Sequence, residues 1–145
     1  MKTKESFFTE SDEARLIEAI KNAENTTSGE IKVHVEENCF IDLLDRTAEV
    51  FAKLKMHETK ARNGVLIYIA FEDHLFSIIG DKGVNSVVDP NYWEEVRDAM
   101  SQHFSSDDLI GGLEAGITEV GKILKDFFPH QDDDENELPD EISYG

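Results

Sequence analysis

The sequence predicts an α/β fold in which a small mixed sheet carries helices on both faces. Three observations predict it. Helix-like and strand-like stretches follow one another in the order helix, strand, helix, strand, strand, helix, helix. The run Val65–Phe71 is seven consecutive apolar residues, which marks a central strand covered on both sides. The connector after it, Glu72-Asp73-His74, is too short for a crossover, so the next strand must return antiparallel.

The first helix starts at Thr9-Glu10-Ser11-Asp12, where an acid follows a hydroxyl at the spacing of a capping box. Leu16, Ile17, Ile20 and Ala23 repeat at helical intervals, and the turn formers Asn25-Thr26-Thr27-Ser28-Gly29 end the helix. Glu30-Ile31-Lys32-Val33-His34-Val35-Glu36 alternates strictly and reads as a strand with one buried face, which puts His34 on the solvent side. A second helix runs from about Asp42 to about Met56, with Leu44, Ala48, Phe51, Ala52 and Lys55 on one stripe. Residues 57–64 form a polar connector to the central strand.

Leu75 to Ile79 is the returning strand, and Gly80-Asp81-Lys82-Gly83 ends it. Val84 to Pro90 reads as a loop or short turn. A third helix begins near Asn91 with Trp93, Val96, Met100 and Phe104 in register, and Ser105-Ser106-Asp107-Asp108 breaks it and caps the next. The last helix carries Leu109, Ile110, Leu113, Ile117, Val120, Leu124 and Phe127. Gly111, Gly112, Gly116 and Gly121 lie along it. Each glycine costs about 1 kcal/mol of helix propensity against alanine, so the line of them implies close packing. One helix joining two parallel strands requires a right-handed crossover, which makes the first two strands parallel and the last pair antiparallel.

The 145 residues suit one domain, divided as an extension over 1–8, an α/β domain over 9–129 and an acidic tail over 130–145. The tail holds seven acids and no Lys or Arg, and it reads as solvated and mobile. A net charge of −18 repels phosphate backbones and anionic membranes, which sets aside nucleic acid as a partner. No apolar run approaches the roughly 18 residues of a membrane span, so no membrane insertion is expected. The start of the chain, Met1 to Glu10, turns acidic without an apolar leader region, and Cys39 is the single cysteine. Both point to a cytoplasmic, reducing setting. A monomer is expected, and a protein partner is left open.

Parallel first strands and a hairpin bring three loops to one edge of the sheet: Thr26–Glu30, Arg62–Gly64 and Gly80–Gly83. Each offers a glycine and an oxygen-bearing side chain. Glu30, Asn63 and Asp81 are hard oxygen donors of the kind that Ca²⁺ or Mg²⁺ selects. By spacing alone the same residues read as three ordinary polar turns, and that reading stands ahead of the ion site. Glu36, Glu37, Glu72 and Asp73 fall at the opposite end, as a second acidic site or, more simply, a solvated rim. No histidine has a second His or Cys at zinc-site spacing. Gly80-Asp81-Lys82-Gly83 lacks P-loop spacing and has no helix directly after it.

Ser28-Gly29-Glu30-Ile31, Ala61-Arg62-Asn63-Gly64-Val65-Leu66-Ile67-Tyr68 and Ile79-Gly80-Asp81-Lys82-Gly83-Val84 together resemble the TPM domain family over roughly residues 8–129. The resemblance implies a Rossmann-like three-layer α/β/α sandwich with a divalent-cation site, calcium or magnesium, at the edge just described. Carried over position by position, the ligands are Glu30, Asn63 and Asp81. Ser28, Gly29, Arg62, Gly64, Gly80, Lys82 and Gly83 support them. Asp81 and Lys82 depart from the aromatic or hydrophobic residues that many members place there. The resemblance implies an accessory or regulatory role. Its alternative is metal-assisted phosphomonoester hydrolysis of the acid-phosphatase kind, with Asp81 as ligand or nucleophile and Arg62 or Lys82 steadying the transferred group.

Overall fold

A computed structural model describes residues 8–130 and 138–145. The elements are α1 (Glu10–Glu24), β1 (Glu30–Glu36), α2 (Leu43–Lys53), β2 (Gly64–Ala70), β3 (Leu75–Gly80), α3 (Lys82–Asn85), α4 (Pro90–Phe104), α5 (Leu109–Phe127) and β4 (Ser143–Tyr144). The four-stranded mixed sheet has the order β3-β2-β1-β4. β2 is parallel to β1 and antiparallel to β3, and β4 lies parallel on the outer edge of β1.

Local chemistry sets the helix ends. Thr9 Oγ1 accepts from the Asp12 N–H at 3.0 Å while the Thr9 N–H donates to Asp12 Oδ2 at 3.2 Å, so both orphan donors at the start of α1 are satisfied. Asp42, Asp89 and Asp108 cap α2, α4 and α5, and Pro90 opens α4 where its missing N–H costs nothing.

The alternation along β1 and β2 divides two cores. Ile31, Val33, Val35, Val65, Ile67 and Ile69 pack with Leu16 and Ile20 of α1 and Leu113, Ile117 and Leu124 of α5. Leu66, Tyr68 and Ala70 face the other way, against Val50 of α2 and Met56. The glycines of α5 sit at close approaches. A Cβ at Gly112 would overlap the Phe104 ring, one at Gly116 the Met100 side chain, and one at Gly121 the Ala23 Cβ. These contacts let α4 and α1 close on α5, which outweighs the lost helix propensity.

Several elements differ from expectation. α2 is rotated by about one residue. Thr47 and Val50 are buried with Leu43 and Leu54 beside them, whereas Leu44 is 67% exposed. The rotation places Arg46, on the same side as Leu43 and Val50, where its guanidinium reaches Glu36. The stretch after Asp81, expected to be a loop, begins with the short helix α3.

β1 is buried along its whole length rather than on one face, and His34 is 5% exposed rather than solvent-facing. The cause lies at the end of the chain. Segment 138–145, expected to be part of a solvated tail, runs along β1 and supplies β4. The acidic run Asp132–Glu137 and the extension before Phe8 lie outside the described residues.

Candidate functional site

The loops at the start of β1, the start of β2 and the end of β3 share one edge. The registers Glu30↔Gly64 and Val65↔Gly80 place Glu30, Gly64 and Asp81 in one row across three strands. Main-chain bonds tie the row together. The Glu30 N–H donates to the Asn63 carbonyl at 3.3 Å, and the Asp81 N–H donates to the Gly64 carbonyl at 2.9 Å. Glu30 and Asp81 are two strand spacings apart, about 10 Å at Cα, with a residue lacking a side chain between them.

Each carboxylate has a partner. Arg62 donates from Nε to Asp81 Oδ2 at 2.6 Å and from Nη2 to Oδ1 at 2.9 Å. The Lys82 N–H also donates to Oδ1, at 2.8 Å. Burial pushes the Asp81 carboxyl up, but the bonds from Arg62 and Lys82 outweigh it and hold it below its ordinary range. Arg62 adopts a left-handed backbone, φ 52°, which costs a residue with a Cβ about 1–2 kcal/mol. Its carbonyl accepts from the Gly83 N–H at 2.9 Å, so the strained turn is held by the loop after β3. Lys82 itself is exposed.

Glu30 turns elsewhere. Its Oε1 accepts from the Leu138 N–H at 2.9 Å. It also lies close enough to Glu24 to repel it, and Asp140 shares a hydrogen bond with Glu24. Burial first, then the Asp140 bond, push the Glu24 carboxyl well above the carboxylate range, although its Oε2 accepts from the Ile31 N–H at 2.9 Å. Glu24 and Asp140 were not legible as members of this edge. Glu24 belongs to a helix end, and Asp140 arrives from more than a hundred residues away.

The raised Glu24 carboxyl has a consequence for stability. A carboxyl with a higher affinity for its proton in the folded chain supports folding at low pH, and that support is lost as pH rises past the unfolded value. Glu24→Gln is therefore expected to raise the thermal midpoint at pH 8 by several degrees and to leave it unchanged near pH 4. Equal shifts at both values would remove the shared proton from the account.

Asn63 is the third predicted ligand. It is 1% exposed, its N–H donates to Thr59 Oγ1 at 3.1 Å, and its Nδ2 donates to Ser28 Oγ at 3.4 Å. Its Oδ1 is buried and has no hydrogen-bond partner among the described residues. A buried acceptor left unmatched costs about 1–3 kcal/mol, so a group that supplies positive charge there would be stabilised. Gly29 and Gly64 allow close approach of Leu124 and of the Met56 carbonyl, and the Gly80 carbonyl accepts from Asn85 Nδ2 at 2.7 Å.

The structure thus brings Asp81 to Arg62 and Asn63 to Ser28, and it sends Glu30 toward Leu138 and Glu24. Among the described residues no group of three or more His, Cys, Asp or Glu is arranged to hold a metal ion. The donor chemistry of the edge, carboxylate and amide oxygen with one orphaned acceptor, still fits a hard cation. Occupancy requires the Asp81 carboxylate to exchange Arg62 for the ion. A groove of about 500 Å³ lined by Phe71, Phe76, Phe104 and Leu109 lies at the other end of the sheet, away from these residues.

A second polar cluster, at the far end of β1, corrects the reading of Glu36 as a rim residue. Glu36 is buried and accepts from Arg46, from the Tyr68 hydroxyl and from the imidazole of His34. Mixed charges at Glu30, Lys32, His34 and Glu36 were the available signal, because a strand covered on both faces must pair such groups.

Comparison with known proteins agrees with this architecture. No curated protein matches the chain. Among solved structures it is similar to the BA42 protein from the psychrophilic bacterium Bizionia argentinensis, with 46% identity, TM-score 0.93 and both chains covered in full. It shares the fold of the N-terminal domain of the cg2496 protein from Corynebacterium glutamicum, at 18% identity and TM-score 0.65 over 81% of this chain and 74% of that one. It likewise shares the fold of the N-terminal domain of a P. gingivalis protein, at 19% identity and TM-score 0.69 over 86% and 82%. Among the described residues no helix is long and apolar enough to cross a membrane. The model of the TPM domain matches residues 1–123, and the chain belongs to the TPM domain family.

Proposed function

We propose that this TPM domain binds a divalent cation, Ca²⁺ or Mg²⁺, at the edge formed by Glu30, Asn63 and Asp81, and serves a protein partner as an accessory or regulatory module. The observation that carries the reading is Asn63 Oδ1, a buried oxygen that has no partner among the described residues and that adjoins the row holding Glu30 and Asp81. A cation there would satisfy that oxygen and order three loops at once. Helices on both faces of the mixed sheet support the Rossmann-like layering that goes with this reading. A net charge of −18 supports a cation ligand and a partner other than nucleic acid.

The hydrolytic alternative has less in its favour. Both oxygens of Asp81 are engaged by Arg62, which leaves the carboxylate poorly placed to attack phosphorus.

Calorimetric titration tests the assignment. The wild-type chain is expected to bind one equivalent of Ca²⁺ or Mg²⁺, and Asn63→Ala and Asp81→Ala are each expected to weaken binding at least tenfold. Cation at a hundred times its dissociation constant should add about 2.7 kcal/mol to stability. Unchanged affinity in both variants would remove the site.

A further inference from the structure

The outer edge of β1 is occupied by segment 138–145, and the segment is held by main-chain and polar groups together with three apolar side chains. The Leu138 N–H donates to Glu30 Oε1 at 2.9 Å, and Lys32 Nζ donates to the Pro139 carbonyl at 3.1 Å. Ser143 Oγ lies 2.8 Å from His34 Nδ1, and the Gly145 N–H donates to the Val35 carbonyl at 3.0 Å. The ladder itself has two pairs, His34↔Ser143 and Val35↔Tyr144. Apolar anchorage comes from Leu138, which packs on the core beside α2, from Ile142, which is buried in the core beside α1 and α5, and from Tyr144, whose ring is 6.4 Å from that of Phe8 and whose hydroxyl donates to Glu13.

The paired part of this strand is two residues long, far below the usual five or six. Main-chain pairing along an edge, with alternate side chains read in pockets, is the general mode by which sheets capture extended peptides.

Two features define what fits. Lys32 interacts electrostatically with Asp140 and Glu141, which gives this edge a cationic group in a strongly acidic protein. At position 145 a Cβ would overlap Glu36 Oε1 and the His34 ring, so the chain must pass as glycine. The groove therefore selects an acidic extended segment in which a hydroxyl residue, an aromatic residue and a glycine follow one another.

We propose that the outer edge of β1 is a strand-accepting groove, and that segment 138–145 is its intramolecular occupant, exchangeable for an acidic extended segment of that pattern in a partner protein. The tethered segment competes at an effective concentration near millimolar, so exchange is seen most readily when it is weakened.

Gly145→Val in the full chain places a branched side chain against Glu36 and His34. With a fluorescent peptide of residues 138–145 as the probe, this variant is expected to bind saturably and at least tenfold more tightly than wild type. The peptide carrying Ser143→Ala is expected to bind about fivefold more weakly, because it lacks the hydroxyl that meets His34. Equal binding by variant and wild type, or no binding by a folded variant, overturns the proposal. A wild-type dimer with exchanged segments would also overturn it, since the groove would then serve copies of this chain.

Hydrogen exchange on the unmodified chain gives a second reading that does not depend on the variant. The Leu138 and Gly145 amides should exchange at least a hundredfold faster than that of Ile67, through local opening. Exchange of all three only with global unfolding makes the segment a fixed part of the sheet and overturns the proposal.

Discussion

Glu36→Ala is expected to destabilise the domain by about 3–5 kcal/mol, a large part of the 5–15 kcal/mol typical of a whole domain. The Glu36 carboxylate is buried at the end of β1 and takes Arg46 Nη2 on Oε1 at 2.8 Å and Arg46 Nε on Oε2 at 2.9 Å. The Tyr68 hydroxyl donates to Oε2, and His34 Nε2 lies 2.9 Å from Oε1. Truncation leaves the Tyr68 hydroxyl without its carboxylate inside the core between α2 and the sheet.

The same carboxylate sets an acid limit. Burial pushes it up, but the bonds from Arg46, Tyr68 and His34 outweigh burial and hold it at about 2. The unfolded chain takes up this proton near 4.5, whereas the folded chain refuses it until about 2. The stabilisation is complete above the unfolded value and is lost as pH falls through that window, on the order of 3 kcal/mol in all. Urea denaturation of wild type and Glu36→Gln from pH 7 to pH 2 checks both parts. The variant should be weaker at pH 7 and should lose less on acidification. Parallel curves for the two chains would show that Glu36 does not set the acid limb.

Gly83→Ala is expected to cost about 3 kcal/mol or more and to disorder the candidate cation edge. A Cβ at position 83 would fall closer than 3 Å to the carbonyl oxygens of both Ala61 and Arg62. These are backbone atoms, so no side chain can rotate away. Arg62 is already held in a left-handed conformation, and its carbonyl accepts the Gly83 N–H. Pushing the two loops apart breaks that bond, releases Arg62 from Asp81 and moves Asn63. Thermal denaturation should show the loss, and amide spectra should place the largest shifts at residues 61–63 and 80–84. A stable variant with an unperturbed 61–63 loop would refute this account.

These two residues show what a linear reading can and cannot carry. Gly83 was placed at the loop edge because a hairpin returns the end of β3 to the start of β2. That inference needs only strand order and connector length. Glu36 was misplaced because alternation along β1 looks the same whether the polar face meets water or a second layer of protein. The burial of that face depends on α2 turning Arg46 inward and on residues 138–145 arriving from the far end of the chain, and neither is a local property. The same limit explains Glu30. Its position at the edge followed from register, but its partners Leu138 and Glu24 are set by where the chain returns.

Local propensity, apolar periodicity and connector length were sufficient for the four longer helices, the central strand, the hairpin and the membership of the three loops at one edge, because each involves neighbours in sequence. Which carboxylate faces which cation, which buried oxygen lacks a partner and which acidic residues join β1 were decided by tertiary packing alone. Charge pairing and desolvation depend on distances of a few ångströms between residues that the chain separates by more than a hundred positions in places, and spacing in sequence does not encode those distances.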